Sequence, residues 1–390
     1  MLESRRPAIA GHLFNMRHFI YIALTLCFLS HSSAAQQLSD PEATRKTQNL
    51  YSFLSSVSKE TVLFGHQDDI LYGLDWKGDY RNSDVKSLVG DYPVVFGWDI
   101  GKLGHEYNLD TVAFDQIIKG IKHVYKMGGI NTISWHMENP VNGNSSWDKE
   151  ADIKALLPGG KSHQDYLNKL DLFDKFIKEC KVGFTKIPII LRPFHEHNGD
   201  WFWWGKPYSD EEDYIKLWRF TVDYLRNEKN IHNLIYAFSP DRSRLSMDNA
   251  WEDYHYGYPG DDYVDVIGLD NYWDMGYPMN RESDAAQYKY YGESIKLITD
   301  IASKRNKIAA LTETGNEKLK IPNWYTERLL DPIISTDTNL AWVLVWRNAH
   351  LGHFYVPYSG HPNETDFKKF GKHKGTLFLA DINNPYKKSK

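Results

Sequence analysis

Ile189-Ile190-Leu191-Arg192-Pro193-Phe194-His195-Glu196 decides how the rest of the chain is read. Three apolar residues, two of them β-branched, run straight into an arginine, a histidine and a glutamate. A short continuous apolar run suits a strand buried on both faces, as in a parallel sheet. The polar group sits where that strand would end. The same design recurs along the chain. Val62-Leu63-Phe64, Val94-Val95-Phe96 and Ile130-Asn131-Thr132-Ile133 come before it. Leu234-Ile235-Tyr236-Ala237, Val264-Asp265-Val266-Ile267, Ile308-Ala309-Ala310-Leu311 and Trp342-Val343-Leu344-Val345 come after. Longer amphipathic segments separate them. Tyr166 to Cys180 places Leu167, Leu170, Phe173, Phe176 and Ile177 at helical spacing, and Asp213 to Arg226 and Tyr288 to Lys304 behave alike. Repeated strand–helix alternation predicts an α/β fold of the (β/α)₈ TIM-barrel type in a single domain. The alternative is an open doubly wound sheet, which usually carries a Gly-rich phosphate turn after its first strand. Here that place reads Gly65-His66-Gln67-Asp68.

In barrel enzymes the site lies at the C-terminal ends of the strands. Strand 1 is followed by His66, strand 2 by Trp98-Asp99 and strand 3 by Trp135-His136. Strand 4 leads to Arg192 through Glu196, strand 5 to Ser239-Pro240-Asp241 and strand 6 to Asp270-Asn271-Tyr272. Strand 7 ends in Thr312-Glu313 and strand 8 in Trp346-Arg347. Any one of these is ordinary at a rim; their convergence on one end is the signal. Glu196 and Glu313 come from roughly opposite sides of the mouth. One carboxylic acid that protonates a leaving oxygen, and one carboxylate that attacks or activates water, are what glycoside hydrolysis requires. Unrelated ion-pair glutamates are the plainer reading of the same two residues. His66, Asp68, His136 and His195 could serve a metal, but no H-E-x-x-H motif appears, and neither metal nor cofactor is expected. No G-x-S-x-G elbow points to serine catalysis. After Glu196 the chain reads His197-Asn198-Gly199-Asp200-Trp201-Phe202-Trp203-Trp204-Gly205. These rings suit a platform for the apolar faces of sugars, or a hydrophobic clamp under a long loop. Their surroundings would raise the pKa of Glu196, as a general acid needs, and His195 is placed to orient it.

Composition agrees. Trp and Tyr number 13 and 25 in 390 residues, enough for a ring-lined cleft or a ring-rich core. A net charge of −5 speaks against a nucleic-acid or anionic-membrane partner. Arg17 and His18, the apolar run Phe19 to Leu29 and Ser33-Ala34-Ala35 follow the order of a cleaved secretory signal, with Met16 as the natural start. The run is short for a membrane span. The expected organisation is therefore an extension and signal over 1–35 and one catalytic domain over 36–390. The mature chain is expected to be exported, to the periplasm or alternatively to the medium or cell surface, and to be a monomer with no stable membrane insertion. Cys180 is then its sole cysteine, so no internal disulfide is possible.

Several of these stretches together resemble glycoside hydrolase family 26, mainly β-mannanases. The carriers are Gly65-His66-Gln67, Ser134-Trp135-His136, Arg192-Pro193-Phe194-His195-Glu196 with Asn198-Gly199 and the Trp-rich run to Gly205. Gly268-Leu269-Asp270-Asn271-Tyr272, Thr312-Glu313 and Trp346-Arg347 complete them. The resemblance implies Glu196 as acid/base and Glu313 as nucleophile. It implies His195 beside the acid, Tyr272 as hydrogen-bond partner of the nucleophile, and Asp270 as a supporting acid. Trp346 matches the floor under the attacked sugar, and His136 and Trp201 match contacts on either side of the cut. Trp98-Asp99 and Arg347 fall where outer subsites would lie. One departure stands out. Some family mannanases carry an aromatic residue shortly after the nucleophile, where this chain has Gly315-Asn316-Glu317-Lys318. The implied activity is retaining endo-hydrolysis of β-1,4-mannan, glucomannan or galactomannan by double displacement. The alternatives are a mixed-linkage glucanase, a β-1,3-xylanase, a mannobiose-releasing exo-enzyme, or a non-catalytic glycan-binding barrel.

Overall fold

Strands β1 (Val62–Gln67), β2 (Val95–Asp99), β3 (Ile130–Ser134) and β4 (Ile189–Arg192) pair side by side in parallel. The series continues through β5 (Leu234–Phe238), β6 (Val266–Asn271), β7 (Ile308–Thr314) and β8 (Leu340–Val345). Strand β8 then pairs in parallel with β1, closing the sheet into the expected eight-stranded barrel. The computed structural model describes residues 38–57, 60–150, 152–336 and 338–388. The expected signal segment and the expected boundary after residue 35 lie outside the described residues. Among the described residues, no helix is long and apolar enough to cross a membrane.

The alternation of side chains along each strand sorts the core into two layers. Leu63, Val95, Ile130, Ile190, Ile235, Val266, Ile308 and Trp342 fill the barrel interior. Their neighbours Phe64, Phe96, Ile133, Leu191, Tyr236, Ile267, Leu311 and Val343 belong to the outer layer, under the helices. Burying one such side chain contributes about 1.5–3 kcal/mol, so both layers hold the barrel. Helix α1 (Arg45–Ser55), capped by the Thr44 side chain on Thr47 N–H, adds Leu50, Tyr51 and Leu54 to the inner cluster. Helices α2 (Phe114–Met127), α3 (His163–Glu179), α4 (Glu211–Asp223) and α5 (Asp284–Arg305) lie between strands in the chain. The last three match the predicted amphipathic segments within a few residues.

Following the inner row outward along each strand arrives at the mouth with Asp99, His136, Arg192, Ser239, Asp270 and Trp346. In β7 the register against β6 slips by one: Leu269 pairs with Leu311, but Asp270 pairs with Glu313. The extra residue, Thr312, makes a β-bulge, a device that re-aims the following side chain. Thr312 Oγ1 donates to Asp270 Oδ1 at 2.7 Å, and Glu313 turns into the mouth beside it.

Candidate active site

The loop after β4 carries the acid. Phe194 and Glu196 both take left-handed backbone conformations, φ 48° and 54°, which is uncommon for residues with a Cβ and is found where a site demands it. Glu196 N–H donates to the Ser239 carbonyl at 2.7 Å, tying the turn to the end of β5. Asn198 and Asp241 clasp each other: Asn198 Nδ2 donates to the Asp241 carbonyl at 2.8 Å, and Asp241 N–H returns a bond to Asn198 Oδ1 at 2.7 Å. The Glu196 carboxyl receives Trp201 Nε1–H at 2.6 Å. Burial pushes its pKa well above the usual carboxylate range, and the charges of Asp241, Asp270 and Glu313 push the same way. The Trp201 hydrogen bond opposes this. Its surroundings thus favour the protonated form of Glu196, the form a general acid needs.

Glu313 sits opposite under different conditions. Arg192 lies between it and Asp270, with Nη1 on Asp270 Oδ2 at 2.6 Å and Nη2 on Glu313 Oε1. Burial disfavours the guanidinium, but Asp270, Glu313 and Glu196 more than offset that and keep it charged. Tyr272 Oη donates to Glu313 Oε2 at 3.0 Å. Burial raises the phenol's pKa well above its usual value, and the neighbouring Glu313 charge adds to this, so the phenol remains a donor. Glu313 is thus an oriented, charge-compensated carboxylate. Carboxylate oxygens of Glu196, Asp270 and Glu313 lie within 4.8 Å of one another. Two of the three already share the Arg192 cation.

The other residues named from sequence divide into cleft and support. Glu196, Trp201, Tyr272, Glu313 and Trp346 line one open cavity of about 710 Å³. Asp270 is fully buried and is hydrogen-bonded to Arg192 and Thr312. Asp99 is a correction: it does not reach an outer subsite. It is buried, and its Oδ2 holds His136 Nδ1 at 2.5 Å while Oδ1 accepts from Gly101 N–H. Burial works against the His136 imidazolium, but the Asp99 charge and hydrogen bond win and raise its pKa. Trp98 points the other way, into the outer layer, with Nε1 on Asn131 and its ring against Gly120 of α2. Arg347 is partly buried, paired with Asp110 at 2.9 Å and with the Tyr72 hydroxyl at 3.3 Å.

His195 is a second correction. Its bonds do not go to Glu196. Its carbonyl accepts from Trp204 Nε1, and its ring stands edge-on to His136, with centroids 4.7 Å apart. Burial, helped by Arg192 and His136, drives its pKa well below the usual histidine range, so it is neutral. The acid is oriented by Trp201 instead. His197, two residues on, turns away to the Tyr256 carbonyl at 2.7 Å, so the two histidines flanking Glu196 do not converge. Of the Trp-rich run, Phe202, Trp203 and Trp204 are buried as a clamp, and only Trp201 faces the cleft.

Asp241 and Tyr355 of the cleft, and Trp147 beside His136, carry no role that the sequence alone assigns. Asp241, buried and accepting from Ser243 N–H at 2.7 Å, stands near Glu196, and burial pushes its carboxyl up to about 6. Trp147, 49% exposed, stacks on His136 at 5.4 Å. Tyr355 occupies the space over Gly315: a Cβ there would meet its ring at 2.3 Å. The missing aromatic side chain after the nucleophile thus has a counterpart in a ring supplied by the loop after β8.

The sequence profile of glycosyl hydrolase family 26 matches residues 39–328. The chain belongs to this family. A family 26 β-mannanase structure from Bacteroides ovatus is 37% identical, with a TM-score of 0.80 over 88% of this chain and 98% of that one. A modular endo-β-1,4-mannanase from Cellulomonas fimi is 33% identical, with a TM-score of 0.79 over 90% of this chain and 79% of that one. A mannan endo-1,4-β-mannosidase from Bifidobacterium adolescentis is 33% identical over 376 residues, 90% of this chain. The family 26 chain spans only 36% of that relative's length.

Proposed function

We propose that the chain is a retaining endo-β-1,4-mannanase. One observation carries the mechanism: carboxylate oxygens of Glu196 and Glu313 lie within 4.8 Å across the floor of one open cleft. Retaining glycosidases place the pair about 5–5.5 Å apart, whereas inverting enzymes leave roughly 6.5–9.5 Å for a water. The Glu313 carboxylate attacks the anomeric carbon, forming a C–O ester bond as the glycosidic C–O bond breaks. Glu196 gives its proton to the departing oxygen. Arg192 and Tyr272 hold Glu313 in line. In the second half Glu196, now ionised, takes a proton from water, whose oxygen displaces Glu313. The names of the relatives described above favour mannan as the glycan. The order of residues 16–35, basic, then apolar, then small, supports export; periplasmic residence as a monomer is proposed with it.

Purified protein is incubated with mannohexaose, cellohexaose and xylohexaose, and products are followed by chromatography. Cleavage of the mannan oligomer alone upholds the substrate, and its early products separate internal cuts from stepwise release of mannobiose. Cleavage of cellohexaose alone, or of none, removes mannan from the proposal. Early products of the inverted anomer by proton NMR would remove the retaining mechanism.

A further inference from the structure

The cleft does not end at the two glutamates. It continues under the loop after β6, where Trp273, Tyr277 and Met279 share its lining. Tyr277 is 47% and Met279 61% exposed, and the Trp273 and Tyr277 rings meet at 5.8 Å, tilted by 36°. Large apolar side chains standing in water beside a cleft mark a contact surface when they are held there. These are held. The Met275 carbonyl between them accepts from Asn316 Nδ2 at 3.0 Å and Trp324 Nε1 at 3.2 Å, and the Trp273 carbonyl accepts from Asn280 Nδ2 at 2.9 Å. Asp274 is clamped by Arg242 at 2.8 Å. Gly276 takes φ 92°, and a Cβ on it would meet Ile321 and Asn316 at 2.5 and 2.6 Å, so the turn is built for this path. Neither sequence pattern nor packing needs rings pointing outward from so well-anchored a loop.

Arg244, from the loop after β5, lines the same cavity. Its guanidinium lies over the Trp201 ring at 5.3 Å and pairs with Asp200 at 2.5 Å. That fixes a cationic hydrogen-bond donor beside the Trp201 ring, in the same cavity as the rings of the β6 loop. Flat apolar rings together with a fixed polar donor are what the two faces and the hydroxyl edge of a pyranose demand. Direction follows from the reading of the site given above, on which this inference rests. The attacked sugar lies over Glu313 and Trp346, on the β7–β8 arc. The bond being broken passes Glu196 and its partner Trp201, so the leaving portion runs towards β5 and β6. We propose that the β6 loop is a platform for the second and third sugars on the leaving-group side of a β-linked hexose chain. It makes the enzyme favour long chains over substrates whose leaving group is short.

The test compares mannohexaose with 4-nitrophenyl β-mannobioside, whose leaving group ends before the loop. Wild type, Tyr277→Ala and Tyr277→Phe are assayed for kcat/KM on both, with thermal melts to confirm folding. Tyr277 is exposed, so the alanine variant folds. The ratio of hexaose to aryl-glycoside kcat/KM falls about tenfold in Tyr277→Ala, the effect of about 1.4 kcal/mol of binding. Tyr277→Phe, which keeps the ring, restores most of it, and the hexaose cleavage pattern in Tyr277→Ala moves to shorter leaving fragments. An unchanged ratio, or equal losses on both substrates, overturns the platform while leaving the catalytic reading intact. If wild type cuts cellohexaose and not mannohexaose, the mannan reading falls and the platform is judged by the same ratio on cello-substrates. A wild type inactive on all of them overturns both.

Discussion

Deleting a single N–H tests how the acid is tuned. Trp201→Phe keeps an aromatic ring in the cleft but removes the 2.6 Å hydrogen bond from Nε1 to the Glu196 carboxyl. That bond favours the ionised form, opposing burial and the neighbouring carboxylates. A hydrogen bond to a charged acceptor contributes about 1.5–3 kcal/mol, and one pKa unit corresponds to about 1.36 kcal/mol. The neutral acid loses part of the same bond, so the net upward shift is about one unit. Glycosylation needs Glu196 protonated, so the basic limb of the kcat/KM profile moves up by that amount. Deglycosylation needs it ionised and slows at lower pH. Mannohexaose is the substrate of choice, because its poor leaving group depends on the acid. Trp201 also touches the cleft, so the height of the profile drops as well, and the position of the limb is what is read. Asp241→Asn is the opposing control: removing a nearby negative charge moves the limb down. A limb that stays within about 0.3 unit in Trp201→Phe, or moves down, would refute the tuning assigned to these two residues.

Other outcomes follow from the same contacts. Glu313→Ala loses turnover while its melting curve stays close to wild type; a variant that does not fold would mean that the glutamate is structural. Arg192→Met leaves Asp270 and Glu313 buried without their shared cation, and chemical denaturation should register a loss of about 3–5 kcal/mol. The carboxyls of Asp68 and Asp241 are held above their usual pKa by burial, the latter at about 6. The fold therefore binds protons that the unfolded chain has released. Their stabilising effect is complete below about pH 3.9, the unfolded value, and is lost as pH rises through the folded values. Asp241→Asn should flatten the fall in melting temperature between about pH 4 and pH 7; an equally steep fall would show that this carboxyl is not a source of it.

The barrel was readable because buried parallel strands write themselves as short apolar runs, and Glu196 and Glu313 were readable because each follows such a run. What sequence could not supply was phase and partner. Trp98 and Asp99 are adjacent, yet one packs outward against α2 and the other reaches inward to His136. A string of letters does not say which comes first in the alternation. His195 adjoins Glu196 but does not orient it, since left-handed backbone at Phe194 and Glu196 rotates successive side chains apart. Arg192 was quoted in the motif without a role, because its partners are 78 and 121 residues away.

The bulge at Thr312 shows why this matters for function. In a regular strand Thr312 and Glu313 would face opposite sides, and an inward Thr312 would place the glutamate in the outer layer. The extra residue brings both inward, so that Thr312 braces Asp270, Asp270 braces Arg192, and Arg192 holds Glu313. The nucleophile therefore depends on inner-row residues locked to the strands. The residues that sequence left without roles, Trp147, Tyr277 and Tyr355, come from loops outside that row. The nucleophile is held by the part of the molecule that repeats, and the acid by the loop after β4. Substitutions in the inner row should thus lower kcat on every substrate, whereas substitutions in the β6 loop should change which substrates are preferred.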